Sequence, residues 1–286
     1  MKRILPGFPL TLGYTIFYRS VVVLLPFAAL FAFALGITGS EPGDANHWAH
    51  FWRAISSPRV VASYKVSFGC SLAAALINGV FGFITAWTLV RYRFPGRRFL
   101  DGLIDLPFAL PTAVAGISLT AIYAQNGWVG YYLKQWFGWK VAYTHYGIII
   151  ALTFIGFPFV VRTLQPVLQA LSDDVEEAAA TLGASRWQTF RRVIFPAALP
   201  ALLTGMTLAF GRAVGEYGSI VFISGNLPMK TEITPLQIVI RLEENDYRGA
   251  AAIGLVMLLI SVLIVGLVNA VQVWNHRRTG GARIQQ

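Results

Sequence analysis

The chain has 286 residues, 56% of them hydrophobic and only 13% charged, with a mean hydropathy of +0.59. Soluble domains carry about 45–50% apolar and about 25% charged residues, so this composition excludes a soluble enzyme, a disordered chain and a cysteine-stapled secreted domain. Lys and Arg number 23 against 13 Asp and Glu; in so apolar a chain that excess reads as basic cytoplasmic loops and not as a nucleic-acid surface.

About 20 apolar residues cross the roughly 30 Å hydrocarbon layer of a bilayer. Six stretches reach that length: 20–40, 66–90, 106–133, 141–161, 193–211 running on to 224, and 250–274. Pro196 and Pro200 blur the start of the fifth, which leaves counts of five or seven open. Ahead of the first stretch, residues 4–19, with Phe8, Leu10, Tyr14 and Phe17 among them, suit an interfacial segment. That stretch outlasts a signal-peptide core and no small-residue cleavage motif closes it, so it is expected to remain as a helix. Cys70, the single cysteine, lies in the second stretch and reads as a buried thiol.

The loop after the first stretch carries His47, Trp48, His50 and Trp52, and that around 127–140 carries Trp128, Trp136 and Trp139. Such aromatics suit the membrane interface. His47 and His50 lack a third ligand, which makes them surface histidines and argues against a metal site. Within the third stretch Pro107 and Pro111 each delete a helical hydrogen bond. Broken backbone at membrane depth needs protein or a water-filled cavity beside it; a translocation path and a plain structural kink both answer that need. Lys and Arg are denser in the loops holding Arg91, Arg93, Arg97 and Arg98, and Arg186, Arg191 and Arg192, than in those holding Lys134, Lys140 and Lys230. That asymmetry, with both ends basic, places the two termini in the cytoplasm.

The longest polar stretch, 169–196, connects the fourth and fifth spans. Asp173 with Glu176 forms an N-capping pattern, Ala178, Ala179 and Ala180 favour helix, and Gly183 offers the left-handed residue that stops it. Ser185 with Gln188 then predicts a capping box, and a new helix running towards Pro196. Val175, Ala178, Ala179 and Leu182 share one face of the first helix. A short helix is marginal alone in water, so this one is expected to dock in a partner's groove; an exposed connector is the plain alternative.

Further on, Arg212 and Glu216 stand one helical turn apart and can pair. Charges inside a span usually face a cavity or the bundle interior. Arg212 either lowers the barrier for an anion along the path or belongs to a structural ion pair near the outer interface. On the first reading, Arg212→Gln cuts transport and leaves assembly intact. Gly211 and Gly215 form a small-xxx-small pattern suited to close helix approach. Residues 225–231 imitate the end of a phosphate-binding loop, but Met229 and Ser224 stand where that loop requires glycine. They read as an external loop, and no ATPase site is expected. A membrane enzyme lacks its cluster of His, Asp or Glu at one depth. An ion-gradient-driven secondary carrier needs intramembrane acids or broken helices in two matching halves, whereas Glu216 is the only acid clearly within a span.

The segment Glu177, Ala178, Ala179, Gly183, Val193, Phe195 and Pro196 resembles the signature of permease subunits of binding-protein-dependent ABC importers, with Val193 and Phe195 as apolar replacements. Segments 106–116 and 210–218, with Gly225 and Asn226, resemble the oxyanion branch of sulfate and molybdate permeases. The opening Leu5, Pro6, Gly7 and Phe8, with Leu12, Gly13 and Tyr14, is similar to the sulfate/thiosulfate permeases, and the likeness covers nearly the whole chain.

The resemblance implies an all-α polytopic membrane protein of about six transmembrane helices with the type I ABC importer permease fold. Residues 1–19 would be a cytoplasmic or interfacial lead-in, 20–274 the permease domain with its coupling segment at 169–196, and 275–286 a cytoplasmic tail. It implies, too, that Glu177 makes polar contact with a cytoplasmic ABC ATPase dimer, that Gly183 forms the turn, and that Gly211 and Gly215 face a second permease subunit. A periplasmic sulfate/thiosulfate-binding protein would deliver the anion in the inner membrane, with molybdate as the rival substrate. No cofactor is expected on this chain; ATP and Mg belong to the ATPase subunits.

Overall fold

The computed structural model describes residues 7–37, 47–171 and 173–279, which are helical without a strand. Leu5 and Pro6, named above, lie outside the described residues. Two compact units are formed, one within Met1–Val61 and Gln237–Leu259, the other within Ala62–Leu236 and Ile260–Gln286.

In the first unit, helix α1 (Phe8–Ala34) starts twelve residues before the expected span, so the lead-in and the first apolar stretch are one helix of 27 residues. Pro9 sits in its first turn, where the missing N–H costs nothing. Pro26 has no N–H to give inside the helix, and the turn before it widens, with the Leu25 N–H reaching the Ser20 carbonyl. None of the apolar window of α1 is buried within the chain. Helix α2 (His47–Ser56) follows. His50 lies 3.5 Å from Asp246, which also pairs with Arg241 at 3.2 Å.

Helix α3 (Pro58–Arg91) is a single run of 34 residues. The third apolar stretch does not form one span. After α4 (Arg97–Ile104) comes α5 (Leu106–Ala109), then extended backbone at Leu110, with φ −87° and ψ 133°, then α6 (Thr112–Tyr123) and α7 (Gly130–Phe137). Pro111 forces the residue before it out of the helical region and donates no hydrogen bond, so the helix must restart at Thr112. At 1.5 Å per residue, α6 covers only about 18 Å. Among the described residues five helices are long and apolar enough to cross a membrane unaided, with α6 as a shorter apolar sixth.

Helix α8 (His145–Ala170) opens on a Thr144 cap, whose hydroxyl accepts the Tyr146 N–H. After α9 (Asp173–Thr181), helix α10 runs unbroken over Arg186–Val214. The expected fifth span therefore begins earlier than 193 and ends at Val214 instead of running on to 224; a short helix α11 (Ile220–Ile223) follows the break. Helix α12 (Thr234–Glu243) opens with the Thr234 N–H bonded to the buried Ser67 hydroxyl of α3 at 2.8 Å, and α13 (Tyr247–Thr279) is the last described element.

Helices α3, α8 and α10 build the core of the second unit through Phe83, Ala86, Val160, Leu164, Ala198 and Leu202. The α8–α10 crossing is close because position 205 is glycine: a Cβ there would sit 2.9 Å from the Val160 Cα.

Candidate functional site

The 169–196 connector folds largely as its local chemistry demands. Helix α9 begins at Asp173, and the residue before it lies outside the described residues. It ends through a left-handed Gly183, φ 79°, where the Gly183 N–H meets the Ala180 carbonyl and the Ala184 N–H that of Ala179. The second capping box forms in full: Gln188 N–H donates to the Ser185 hydroxyl at 3.3 Å, and Ser185 N–H to the Gln188 side-chain Oε1 at 2.8 Å. Pro196 does not terminate the helix that starts there. Its missing N–H is absorbed by a wide turn over Phe190–Ile194, in which Phe195 N–H bonds the Phe190 carbonyl. The connector's second helix and the following span are thus one rod.

Of the apolar face on α9, Val175, Ala178 and Leu182 are exposed, Leu182 at 87%, and Glu177 is exposed beside them. Ala179 is the exception: it is buried against its own chain and is not offered outward. Glu176 turns inward and pairs with Arg91, the last residue of α3, at 2.8 Å. Nothing in local spacing reveals that pair, because its members lie far apart in sequence.

A second charged joint sits nearby in the chain's order. Arg162 of α8 donates to Asp105 through Nε at 2.9 Å and Nη2 at 2.6 Å, and to Asp101 through Nη1 at 2.7 Å. The Gln165 amide also donates to Asp101, at 2.8 Å. Those bonds, that of Gln165 foremost and then that of Arg162, hold the Asp101 carboxyl below the usual carboxylate range. Nothing in local spacing foretells the clamp, because its carboxylates lie 57 and 61 residues from Arg162 in the chain.

The far end of α10 is built differently. The helix stops at Val214, so Glu216 lies beyond its cap and not on the helix face. Its carboxylate still meets Arg212 Nη1 at 2.5 Å and also accepts the Ser219 N–H at 2.9 Å, which orients the turn into α11. Glu216 is only 3% exposed. Because the carboxylate is buried, Arg212→Gln leaves it without its countercharge, so that variant tests folding as well as transport. A Cβ at Gly211 or Gly215 would touch nothing within 4 Å, so their small size serves no close approach inside this chain. At Gly116, by contrast, a Cβ would run into the Ser219 carbonyl, and α6 packs there against the start of α11.

Pro107 lines an apolar cavity between α3, α4 and α8, while Pro111 is exposed at the break before α6. In the phosphate-loop look-alike, the Thr231 hydroxyl accepts the Leu227 N–H at 2.9 Å, folding the loop on itself. Among the described residues no group of three or more His, Cys, Asp or Glu could hold a metal ion.

Residues 78–281 match the family described as "Binding-protein-dependent transport system inner membrane component". The chain is 47% identical over 280 residues to the "Sulfate transport system permease protein CysT" of Escherichia coli (strain K12), covering 98% of each. It is 46% identical to the protein of the same name from Synechocystis sp., covering 92% of this chain and 88% of that one. In fold it is similar to a bacterial ABC transporter involved in the import of the acidic polysaccharide alginate, with a TM-score of 0.72, 15% identity and 95% of each chain covered. A structure of a bacterial alginate ABC transporter in complex with alginate pentasaccharide-bound periplasmic protein matches with a TM-score of 0.72 at 17% identity, covering 96% of this chain and 95% of that one.

Proposed function

This chain belongs to the family of binding-protein-dependent transport system inner membrane components, and we propose that it is a permease subunit of an ATP-driven importer that carries sulfate or thiosulfate across the inner membrane. It is a multi-pass ABC permease. The sulfate assignment draws on relatives of nearly the same length that are named for sulfate transport. Two cytoplasmic ATPase subunits, a second permease and a periplasmic binding protein complete the assembly, and both termini face the cytoplasm.

The observation that carries the coupling reading is the geometry of 173–214. Helix α9 presents Val175, Ala178 and Leu182 to its surroundings, turns at Gly183, and continues into the rod of α10. Apolar side chains on a short surface helix are stable only when covered, and a groove on a soluble partner covers them. Glu177 adds a polar contact at the edge. ATP-driven closure of the ATPases displaces α9, the rod of α10 follows, and the spans change from inward-facing to outward-facing. Broken backbone at Leu110 and Pro111 borders the path.

The test is reconstitution of the four-component complex in vesicles. Leu182→Glu is expected to weaken retention of the ATPase on the permease by about tenfold, as loss of one buried apolar anchor implies, and to reduce sulfate uptake with it. Full retention of the ATPase by that variant, or uphill anion uptake by this chain alone, would overturn the reading. Competition by molybdate in the same vesicles decides between the two oxyanions.

A further inference from the structure

We propose that Arg91 is the positioning residue that fastens the coupling helix α9 to the spanning helices, so that movement of α9 reaches α3, α8 and α10 together. The proposal rests on the coupling reading above and names the joint through which it acts.

Three separate contacts converge on this one guanidinium. Arg91 is the last residue of α3. Its Nη2 donates to the Leu171 carbonyl at 3.1 Å, and Leu171 is the cap residue of α8. Carbonyls at a helix end have no partner within the helix, so a cationic donor there satisfies an orphaned acceptor. The same nitrogen lies 2.8 Å from Glu176 Oε1 on α9. The Cζ also stands 5.4 Å from the centre of the Trp87 ring, one turn back along α3. Trp87 in turn meets Phe190 edge to face at 6.1 Å, and Phe190 opens the wide turn that joins the connector to the span in α10.

Exposed ion pairs contribute little and are screened by salt. This one is shielded at one of its two members, the Arg91 side chain being 15% exposed and that of Glu176 37%. Neighbouring Glu177 is exposed, which leaves it available to a partner while Glu176 holds the helix from behind. A helix held at one face by its own chain and at the other by the ATPase transmits displacement; a helix held only by the ATPase slides.

The experiment uses the full complex in vesicles with the sulfate-loaded binding protein, and measures sulfate delivered per ATP hydrolysed. Glu176→Gln and Arg91→Met are expected to keep the ATPase bound while that ratio falls about 3–10-fold, within the span of effects seen for residues that carry coupling. Arg91→Lys keeps a charge and donors for both acceptors, and is expected to restore most of the ratio. If Arg91→Met fails to assemble, Glu176→Gln decides, since it removes only the ion pair. An unchanged ratio in Glu176→Gln overturns the proposal. So does loss of the ATPase from Glu176→Gln, because Arg91 would then serve docking and not transmission. Failure of the coupling reading itself shows separately, as an ATPase that stays bound to Leu182→Glu.

Discussion

The two ends of α10 solve opposite problems. At its start, around Gly183 and Ser185, apolar side chains stand in the open and the polar groups are satisfied locally by caps. At its finish, a carboxylate is buried and satisfied entirely by its own chain, through Arg212 and the Ser219 N–H. The rod between them is 29 residues, about 43 Å at 1.5 Å per residue. An end that leaves its apolar surface uncovered is unfinished without a partner. An end that pays the desolvation of a charge internally is finished as it stands. On the proposed function the first is where a second protein docks, whereas the second is held by its own chain.

The most forceful way to break that contrast is at Glu216. Arg212→Gln leaves its buried carboxylate without a countercharge, which costs about 3 kcal/mol or more. Thermal unfolding in detergent is expected to begin well below that of the parent chain, and Arg212→Gln/Glu216→Gln to recover most of the loss. Sulfate uptake by the double variant then reports any role of the charges in the path, free of the folding defect. A single variant that melts with the parent would remove the distinction between the two ends.

A smaller effect is expected at the other end. Ser185→Ala removes the cap of α10 and costs about 1 kcal/mol, confined to the connector. Amide exchange should quicken over 185–189 and stay unchanged around Glu216. Spread of the effect to Glu216 would mean that the ends are not independent.

The smallest effect concerns Asp101, whose contact with Gln165 and Arg162 anchors α4 to α8 near the connector. Its folded carboxyl titrates below the ordinary value of about 4. The unfolded chain therefore binds the proton first as pH falls, so the contact contributes fully above the ordinary range and is lost as pH drops through the lowered value. The stability gap between the parent and Asp101→Asn should hold steady from neutral pH to about 5 and close only below about 4. A gap that closed at neutral pH would contradict the geometry.

The connector was legible because its instructions are local. Gly183 and the Ser185–Gln188 box act within one turn of chain, and the glycine turn and the capping box form where the residues place them. The third apolar stretch misled because hydropathy averages over Pro111, whereas the backbone cannot. Pro196 blurs the start of the fifth stretch in sequence, whereas in the fold a widened turn carries the helix through it. Arg162 and Arg91 were invisible as joints, because charge asymmetry counts residues without knowing what faces them.

What the sequence determined by itself was the class of the molecule, its apolar stretches and the helix–turn–helix between the fourth and fifth of them, because transfer of apolar length from water and capping chemistry are set by neighbours in the chain. What only the tertiary structure decided was which charges are held from within: Glu176 and not Glu177, Glu216 together with its arginine, Asp101 and Asp105 under Arg162. Such pairings depend on distances between segments far apart in the chain, and a charge has no preference among partners until folding brings one of them within reach.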